Sequence, residues 1–510
     1  MALSVSDVRA IVAKVCARPD VLDACRRGDL GTVITVLGAH GVTQGVISSL
    51  TGIAQGRLSE YKTGTRKPLA SSTYRDFTDG LGMPPAARTA LGLDPEQSGS
   101  PLVGRKTPGT PLLDVGLAYP DTPLKAAETL TLLWRSDLGD GTAPWGKPEP
   151  KAWNDASRRW LIDPGHQPGS NLARSVRIGV GDVERFRATV DMFTQLDDRF
   201  GGGHARAALI QYLSTDAERL LRGRYTDTTG RVLFSAVAEA TLLAAWMSYD
   251  SMPGSALAQR YFIQALSLAQ AGGDRLLGAS VLDAMSHQAT YLGQFGEAAS
   301  LARAATTGTQ GVATPTLTSH FHTMEARALA RMGDAKGCDR ALAQAVREFE
   351  RSRPGNDPAW FQYFNESELS AEFGHCLRDL GRATEAAQYA SRSVAAVNDT
   401  TFLRSDFFAM MVLADAHADA GEIEQACGVA LRALTAGEQI RSARCVNYLR
   451  EFHQRLKVTG RSNAITDFSE QAADSRLWRI ATRTGTGLGR CLVPPTGNVV
   501  ALSRAAPLLN

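Results

Sequence analysis

The chain has 510 residues, 44% of them hydrophobic and 21% charged, with a formal net charge of +3 at pH 7. That length predicts more than one domain with ample core material, and the balance of apolar and charged residues excludes wholesale disorder. No run of about 18 uninterrupted apolar residues occurs, and the opening MALSVSDVRAIVAK has no secretory h-region, so neither a membrane span nor a signal peptide is expected.

Residues 1–94 read as short helices punctuated by glycine, with eleven Lys/Arg against eight Asp/Glu. So small an excess permits a nucleic-acid contact without arguing for one. Val33, Ile34 and Leu37 line a first amphipathic helix, closed by His40-Gly41. Thr43 is placed to cap a second helix with Val46, Ile47 and Leu50 inward. Thr51-Gly52-Ile53 forms a tight turn. A third helix, Gln55 to Lys62, sets Leu58 and Tyr61 inward and leaves Gln55, Gly56, Arg57, Ser59 and Glu60 outward. Gly64 ends it, Pro68 opens a loop, and a helix carrying Tyr74, Phe77 and Leu81 follows.

This order resembles the XRE (Cro/repressor-like) helix-turn-helix. The residues that carry the likeness are Thr43-Gln44, Thr51-Gly52-Ile53, Gln55, Leu58-Ser59, Gly64, Arg66-Lys67-Pro68 and Leu81-Gly82-Met83-Pro84. The resemblance implies that the third helix enters the major groove of double-stranded DNA, where Gln pairs with adenine and Arg with guanine. It makes Gln55, Gly56, Ser59 and Glu60 base-facing and gives Gln44 a phosphate-contacting, helix-bracing role. Lys62, Thr63, Arg66 and Lys67 flank that helix where phosphates pass, and Thr43 and Arg57 complete the implied contact set. Three features depart from the pattern. Ala54 stands where Ser or Thr usually caps the helix, a loss of about 1 kcal/mol. Gly45 and Gly56 each cost roughly 1 kcal/mol relative to Ala. Glu60 repels phosphate unless it accepts from cytosine N4. The competing reading is a degenerate helical domain kept for protein contacts.

Residues 95–112, EQSGSPLVGRKTPGTPLL, read as a linker that extends to about residue 120. Residues 121–225 read as a helical connecting region, with the helix VERFRATVDMFTQLDDRF ended by Gly201-Gly202-Gly203. From 226 to 475 helix follows helix, and a unit recurs: Gly, four residues, a small residue, then another small residue seven further on. It appears as Gly293…Ala298…Ala305, Gly333…Cys338…Ala345, Gly381…Ala386…Ser393 and Gly421…Ala426…Ala433, with an upstream copy at Ala258…Ala265. Seven residues before each turn glycine sits a further small residue, Ser286, Ala326, Gly374 or Ala414. The physics is that of a helical hairpin. Glycine takes a left-handed cap, small residues let the axes approach, and stacked copies share a core that one hairpin cannot build. The unit resembles the tetratricopeptide repeat, although the turn glycines lie 40, 48 and 40 residues apart. The tail, 476–510, reads as loosely ordered.

No catalytic constellation is present: G-x-S-x-G, HExxH and the kinase motifs are all missing. Gly485-Thr486-Gly487-Leu488-Gly489 lacks a preceding strand, and Pro494-Pro495 forbids the helix that would receive a phosphate. Gly201-Gly202-Gly203-His204 lacks the Lys of a P-loop, and His320 and His322 make a poor metal site with no carboxylate or Cys beside them in sequence. Seven cysteines (Cys16, Cys25, Cys338, Cys376, Cys427, Cys445 and Cys491) stand singly, which fits reduced thiols in a cytoplasm. Neither cofactor nor metal is expected. Ligand chemistry concentrates in WFQYFNESE, 360–368, where Gln362 and Asn365 sit, and at Arg404 and Asp406. Aromatic bodies with Asn365 and Arg404 suit an extended backbone and a carboxylate. The competing reading packs Trp360, Tyr363 and Phe364 between repeats. His287, Gln288 and Tyr291 are lesser candidates.

Together these features resemble bacterial regulators that join an XRE head to a tetratricopeptide sensor, including the RRNPP peptide-pheromone receptors and their actinobacterial relatives. The expected fold is all-α, a helix-turn-helix domain followed by a right-handed superhelix of tetratricopeptide-like hairpins. The resemblance implies a cytoplasmic homodimer on a palindromic operator, with a repeat domain that takes a peptide or small-molecule signal. Two alternatives stay open: a scaffold or adaptor whose head no longer reads sequence, and, disfavoured by the missing constellation, an enzyme-associated module.

Overall fold

The computed structural model describes residues 5–51, 53–65, 68, 71–93, 115–139, 145–163, 176–252, 254, 256–353, 355–395, 402–460 and 462–483. Gly52, Arg66, Lys67, the 95–112 segment, the Gly485–Gly489 run, Pro494-Pro495 and Cys491 lie outside them. Among the described residues the protein is all helical, with one isolated bridge between Arg177 and Arg224 and no strand. The chain divides into two compact units, Met1–Gly109 and Thr110–Asn510.

Among its described residues the first unit holds seven helices: α1 (Val5–Cys16), α2 (Pro19–Arg26), α3 (Leu30–Ala39), α4 (Gln44–Thr51), α5 (Gln55–Lys62), α6 (Ser71–Leu81) and α7 (Pro85–Ala90). Val12, Val33, Ile34, Leu37, Ile47, Leu58, Phe77 and Leu81 form one core, which is what the 3–4 spacing of these residues requires. Asp29 opens α3 by accepting from the Thr32 amide at 3.1 Å, and the Thr32 hydroxyl holds its carboxyl below the usual range. Two glycines set the crossings. A Cβ on Gly31 would lie 2.3 Å from the Tyr61 carbonyl of α5, and one on Gly80 would lie 2.3 Å from the Leu50 carbonyl of α4.

The second unit begins with α8 (Pro123–Asp137), α9 (Pro150–Ile162), α10 (Val180–Phe200), α11 (Gly202–Tyr212) and, after a π-turn over Leu213–Ala217, α12 (Glu218–Leu221). Hairpins follow: α13 (Asp227–Ser251) with α14 (Leu257–Gly272), α15 (Arg275–Tyr291) with α16 (Phe295–Gly308), and α17 (Pro315–Arg331) with α18 (Ala335–Phe349). Next come α19 (Glu366–Asp379) with α20 (Ala383–Ala395) and α21 (Leu403–Asp419) with α22 (Ile423–Ala436). The last described helices are α23 (Ala443–Thr459), α24 (Asn463–Ala472) and α25 (Arg476–Thr482). The first helix of each hairpin also packs on the first helix of the next, from α13 through to α23.

The turn glycines 293, 333, 381 and 421 take φ of 79°, 78°, 74° and 82°, the left-handed region that a side chain resists. The small residues paired with them are buried. Serines add cross-hairpin bonds: Ser286 Oγ donates to the Ala298 carbonyl at 2.8 Å, Ser319 to Ala345 at 2.7 Å and Ser367 to Ser393 at 3.1 Å. Helix α13 is long and apolar enough to cross a membrane by length and composition, and 72% of its apolar window is buried inside the unit. Counting uninterrupted apolar runs misses it because Ser235, Glu239 and Thr241 break the run.

Two irregular segments are strapped across α14. Arg260 Nε donates to the Val115 carbonyl at 2.9 Å, Gln264 to Gly116 at 2.9 Å, and Gln259 exchanges two hydrogen bonds with the Glu149 backbone at 2.7 and 2.9 Å. Trp160 of α9 fills a slot left by two glycines, since a Cβ on Gly278 or Gly308 would come within 2.3 or 2.1 Å of its ring. At the other end, the tail reading differs from the structure over 476–482. These residues are helical, and Trp478 packs on Phe468 and His453 at 5.0 Å.

Candidate functional site

Helices α4 and α5 are three residues apart in sequence and pack together, and the burial pattern of α5 defines an outward face. Leu58 and Tyr61 are buried, while Gln55, Gly56, Arg57, Ser59, Glu60 and Lys62 are all exposed. The Thr43 hydroxyl accepts from the Val46 amide at 3.4 Å and so opens α4, leaving Gln44 half-buried beside it. Ala54 at the start of α5 supplies no side-chain cap, and Gly64 closes the turn after it with φ 72°. The Thr63 hydroxyl is turned back onto α5, donating to the Ser59 carbonyl at 3.1 Å and meeting Thr65 at 2.7 Å. This leaves its lone pairs, not a free donor, for any partner. The face is amide, hydroxyl and cation in character, with Glu60 its acid.

The second concentration of chemistry is a polar interior of the helical unit, contributed by the first helices of successive hairpins. His287 sits at its middle. Burial and the neighbouring Arg327 and Arg444 guanidiniums push its imidazole well below the usual range, so it is neutral. Arg327 lies 3.4 Å from its Nε2 and can only donate, which places the proton on Nδ1, 3.1 Å from the Tyr249 hydroxyl. Arg327 also pairs with Glu372 at 3.2 Å. Arg444 stacks over Tyr249 and Phe408, each with its carbon 4.6 Å from the ring centre.

Beside His287 lies an acidic stretch. Asp283 Oδ2 is 3.0 Å from His320 Nδ1, without the alignment of a hydrogen bond. Burial opposes protonation of His320, yet the Asp283 and Glu372 carboxyls raise its pKa overall. His320 and His322, expected to lack nearby carboxylates, each have one: Asp283 comes from α15 to His320, and Glu325 lies 3.8 Å from His322. No three metal-ligating side chains converge among the described residues.

A third cluster joins distant segments. Arg404 pairs with Asp197 at 2.8 Å and lies 3.8 Å from Asp250 and 4.0 Å from Asp198. Asp250 in turn accepts from the Gly202 amide at 2.9 Å and the Ser442 hydroxyl at 2.7 Å. The glycine triplet after α10 makes this approach possible: Gly201 has φ 79°, and a Cβ on Gly203 would lie 2.7 Å from the Arg441 carbonyl. Gly202 and Gly203 belong to the next helix rather than to a loop.

The sequence-predicted ligand residues therefore divide. His287 and Arg404 belong to the interior, and Asp406 is half-buried within electrostatic reach of Glu368. Arg404, expected to grip a ligand carboxylate, is already committed to three aspartates that lie far from it in sequence. Asn365 was expected to grip a backbone. Its oxygen instead accepts from the Ser367 and Glu368 amides at 2.8 and 3.2 Å and caps α19. Gln362 is exposed at the surface. Tyr291 accepts from Asn447, and Gln288 is fully buried with neither carboxamide atom hydrogen-bonded. Phe361 and Phe364 pack inward, whereas Tyr363 stays 44% exposed. The residues that sequence reasoning missed are Asp283, Arg327, Glu372 and Asp198, and Glu368 was included only as the end of the 360–368 segment. Their signal was a polar stripe on otherwise apolar helices, with Asp283 and His287 four apart, as are Glu368 and Glu372. All six cysteines among the described residues are buried and unbridged. No protein-family model, curated protein or solved structure matches the chain.

Proposed function

We propose that the chain is a sequence-specific DNA-binding transcriptional regulator, acting as a homodimer, whose helical unit senses a small molecule or peptide. On this reading the first unit is an XRE-type helix-turn-helix with α5 as its recognition helix. The hairpins form a right-handed tetratricopeptide-like superhelix. The observation that carries the reading is the outward face of α5. All six of its polar or small residues are exposed while Leu58 and Tyr61 anchor it, which leaves a glutamine, an arginine, a serine and a lysine free to meet an outside partner. Gln55 and Arg57 bring the amide and guanidinium groups that read adenine and guanine edges.

Quantitative binding to a selected operator tests it. Gln55→Ala and Ser59→Ala should lose preference for the operator over random DNA by about 1–3 kcal/mol each. Lys62→Ala should weaken both alike and lower the salt slope by about one unit. All three variants binding as wild type does would reject α5 as the reading helix. A scaffold reading draws support from the uncapped start of α5 and from Glu60 on its face; it predicts no operator at all.

A further inference from the structure

The polar interior carries more acid than base around His320. Asp283 on α15, Glu368 and Glu372 on α19 and Asp198 on α10 all act electrostatically on the Tyr363 hydroxyl, and Asp406 on α21 acts on Glu368. The cations nearby are largely committed. Arg327 binds Glu372 at 3.2 Å, and Arg404 binds Asp197 at 2.8 Å. Glu368 has no cation within ion-pair distance among the described residues.

A second observation is independent of that charge count. Asp283 is only 5% exposed, and while its Oδ2 faces His320, its Oδ1 has no hydrogen-bond partner. A buried carboxylate oxygen without a donor calls for one. A third is the wall beside it. Phe361, Tyr363 and Phe364 present rings to the His320 imidazole at 5.4, 6.3 and 4.7 Å, and Tyr363 lies 5.2 Å from Phe361. Of these three rings, Tyr363 is the one that reaches the surface. Carboxylates beside aromatic faces recognise organic cations. The same carboxylates do not converge as metal ligands among the described residues.

The geometry points to a binding site for an ammonium or guanidinium group between α15, α17 and α19, with Glu368 and Asp283 as its charge partners and Tyr363 and Phe361 as its aromatic wall. This rests on the reading of the helical unit as a sensor, and it names the chemistry of the signal. Burial and Glu372 push Glu368 up to about 7, and burial pushes Asp198 up to about 6. A proton on Glu368 therefore competes with a cationic ligand near neutral pH.

The test is titration calorimetry and thermal shift on the full-length chain, without DNA, at fixed ionic strength. Agmatine and spermidine serve as free cations, and an acetylated, amidated Gly-Ser-Lys-Ser-Gly peptide as a basic peptide. The same peptide with norleucine for lysine is the neutral control. Saturable binding of a cationic probe, with a rise in Tm that the neutral peptide does not give, is the expected result. Tighter binding of the small amines or of the lysine peptide tells which source supplies the cation. Glu368→Gln should weaken the binding about tenfold or more while leaving the unliganded Tm unchanged or higher. Asp283→Asn, which removes the charge of the second partner, provides the same reading if the first variant folds poorly. No saturable binding of any cationic probe to wild type, or undiminished binding in both variants, would overturn the site. DNA is absent from this assay, so failure here and failure of the α5 reading are separately visible.

Discussion

Ala54 begins α5 with no side chain to satisfy the helix's first amides, and Gly56, the second residue of the helix, has nothing within 4 Å of where its Cβ would stand. Both are places where a single atom group adds stability without disturbing the fold. Ala54→Ser should stabilise the first unit by about 1 kcal/mol, and Gly56→Ala by about 0.5–1 kcal/mol, measured by urea denaturation. Because position 56 lies on the exposed face, its methyl should also lower operator affinity, a trade that a purely structural helix would not show. Gly31 behaves oppositely. A methyl 2.3 Å from the Tyr61 carbonyl forces α3 and α5 apart, and Gly31→Ala should destabilise the unit by about 1–3 kcal/mol. Glu368 gives a pH signature. Its carboxyl is raised to about 7, so the native chain holds that proton more tightly than the unfolded chain. Stability then falls as pH rises from the unfolded value near 4 through 7. Glu368→Gln removes this fall. The variant should exceed wild type by about 1–3 kcal/mol at pH 8, with the gain gone below about pH 4, and an equal gain at both pH values would refute the assignment.

Among the elements, the hairpins were legible because their cause is local. A glycine that must take positive φ and small residues at fixed offsets leave the same trace each time, and the structure turns at glycines 293, 333, 381 and 421. The α4–turn–α5 segment was legible for a related reason: Leu58 and Tyr61 alternate with exposed polar residues over one short helix. The polar interior was not. Asp283 meets His320, and Arg404 meets Asp197 and Asp250, only once the hairpins stack, and no spacing along the chain announces such pairs. Asn365 looked like a ligand group because a helix cap and a peptide clamp use the same carboxamide. The Trp160 slot was equally hidden, since it joins Gly278 and Gly308 on two different helices. Gly308→Val should destabilise the helical unit by roughly 3 kcal/mol or more, as seen by thermal unfolding, because the ring has no room to yield. Ser319→Ala, which removes one cross-hairpin bond to Ala345 made at 2.7 Å, should cost only about 1 kcal/mol.

For the whole molecule, the charge pattern bears on the proposed recognition of DNA. A net charge of +3 over 510 residues gives no general attraction to nucleic acid. On the proposed reading, DNA binding comes from a local surface, and α5 is the surface that carries amide, hydroxyl and cationic groups. The helical unit, for its part, holds ionisable groups in its interior at a cost that a purely structural repeat would not need, which fits a site awaiting a charged ligand. The central claim is that the first unit reads sequence, and affinity-purified genomic DNA sequencing with the full-length protein at one stated salt concentration tests it most directly. The account predicts a palindromic motif enriched near promoters, with the enrichment lost in Gln55→Ala. Diffuse recovery that disappears as salt is raised, with no motif and no difference between wild type and Gln55→Ala, would contradict it.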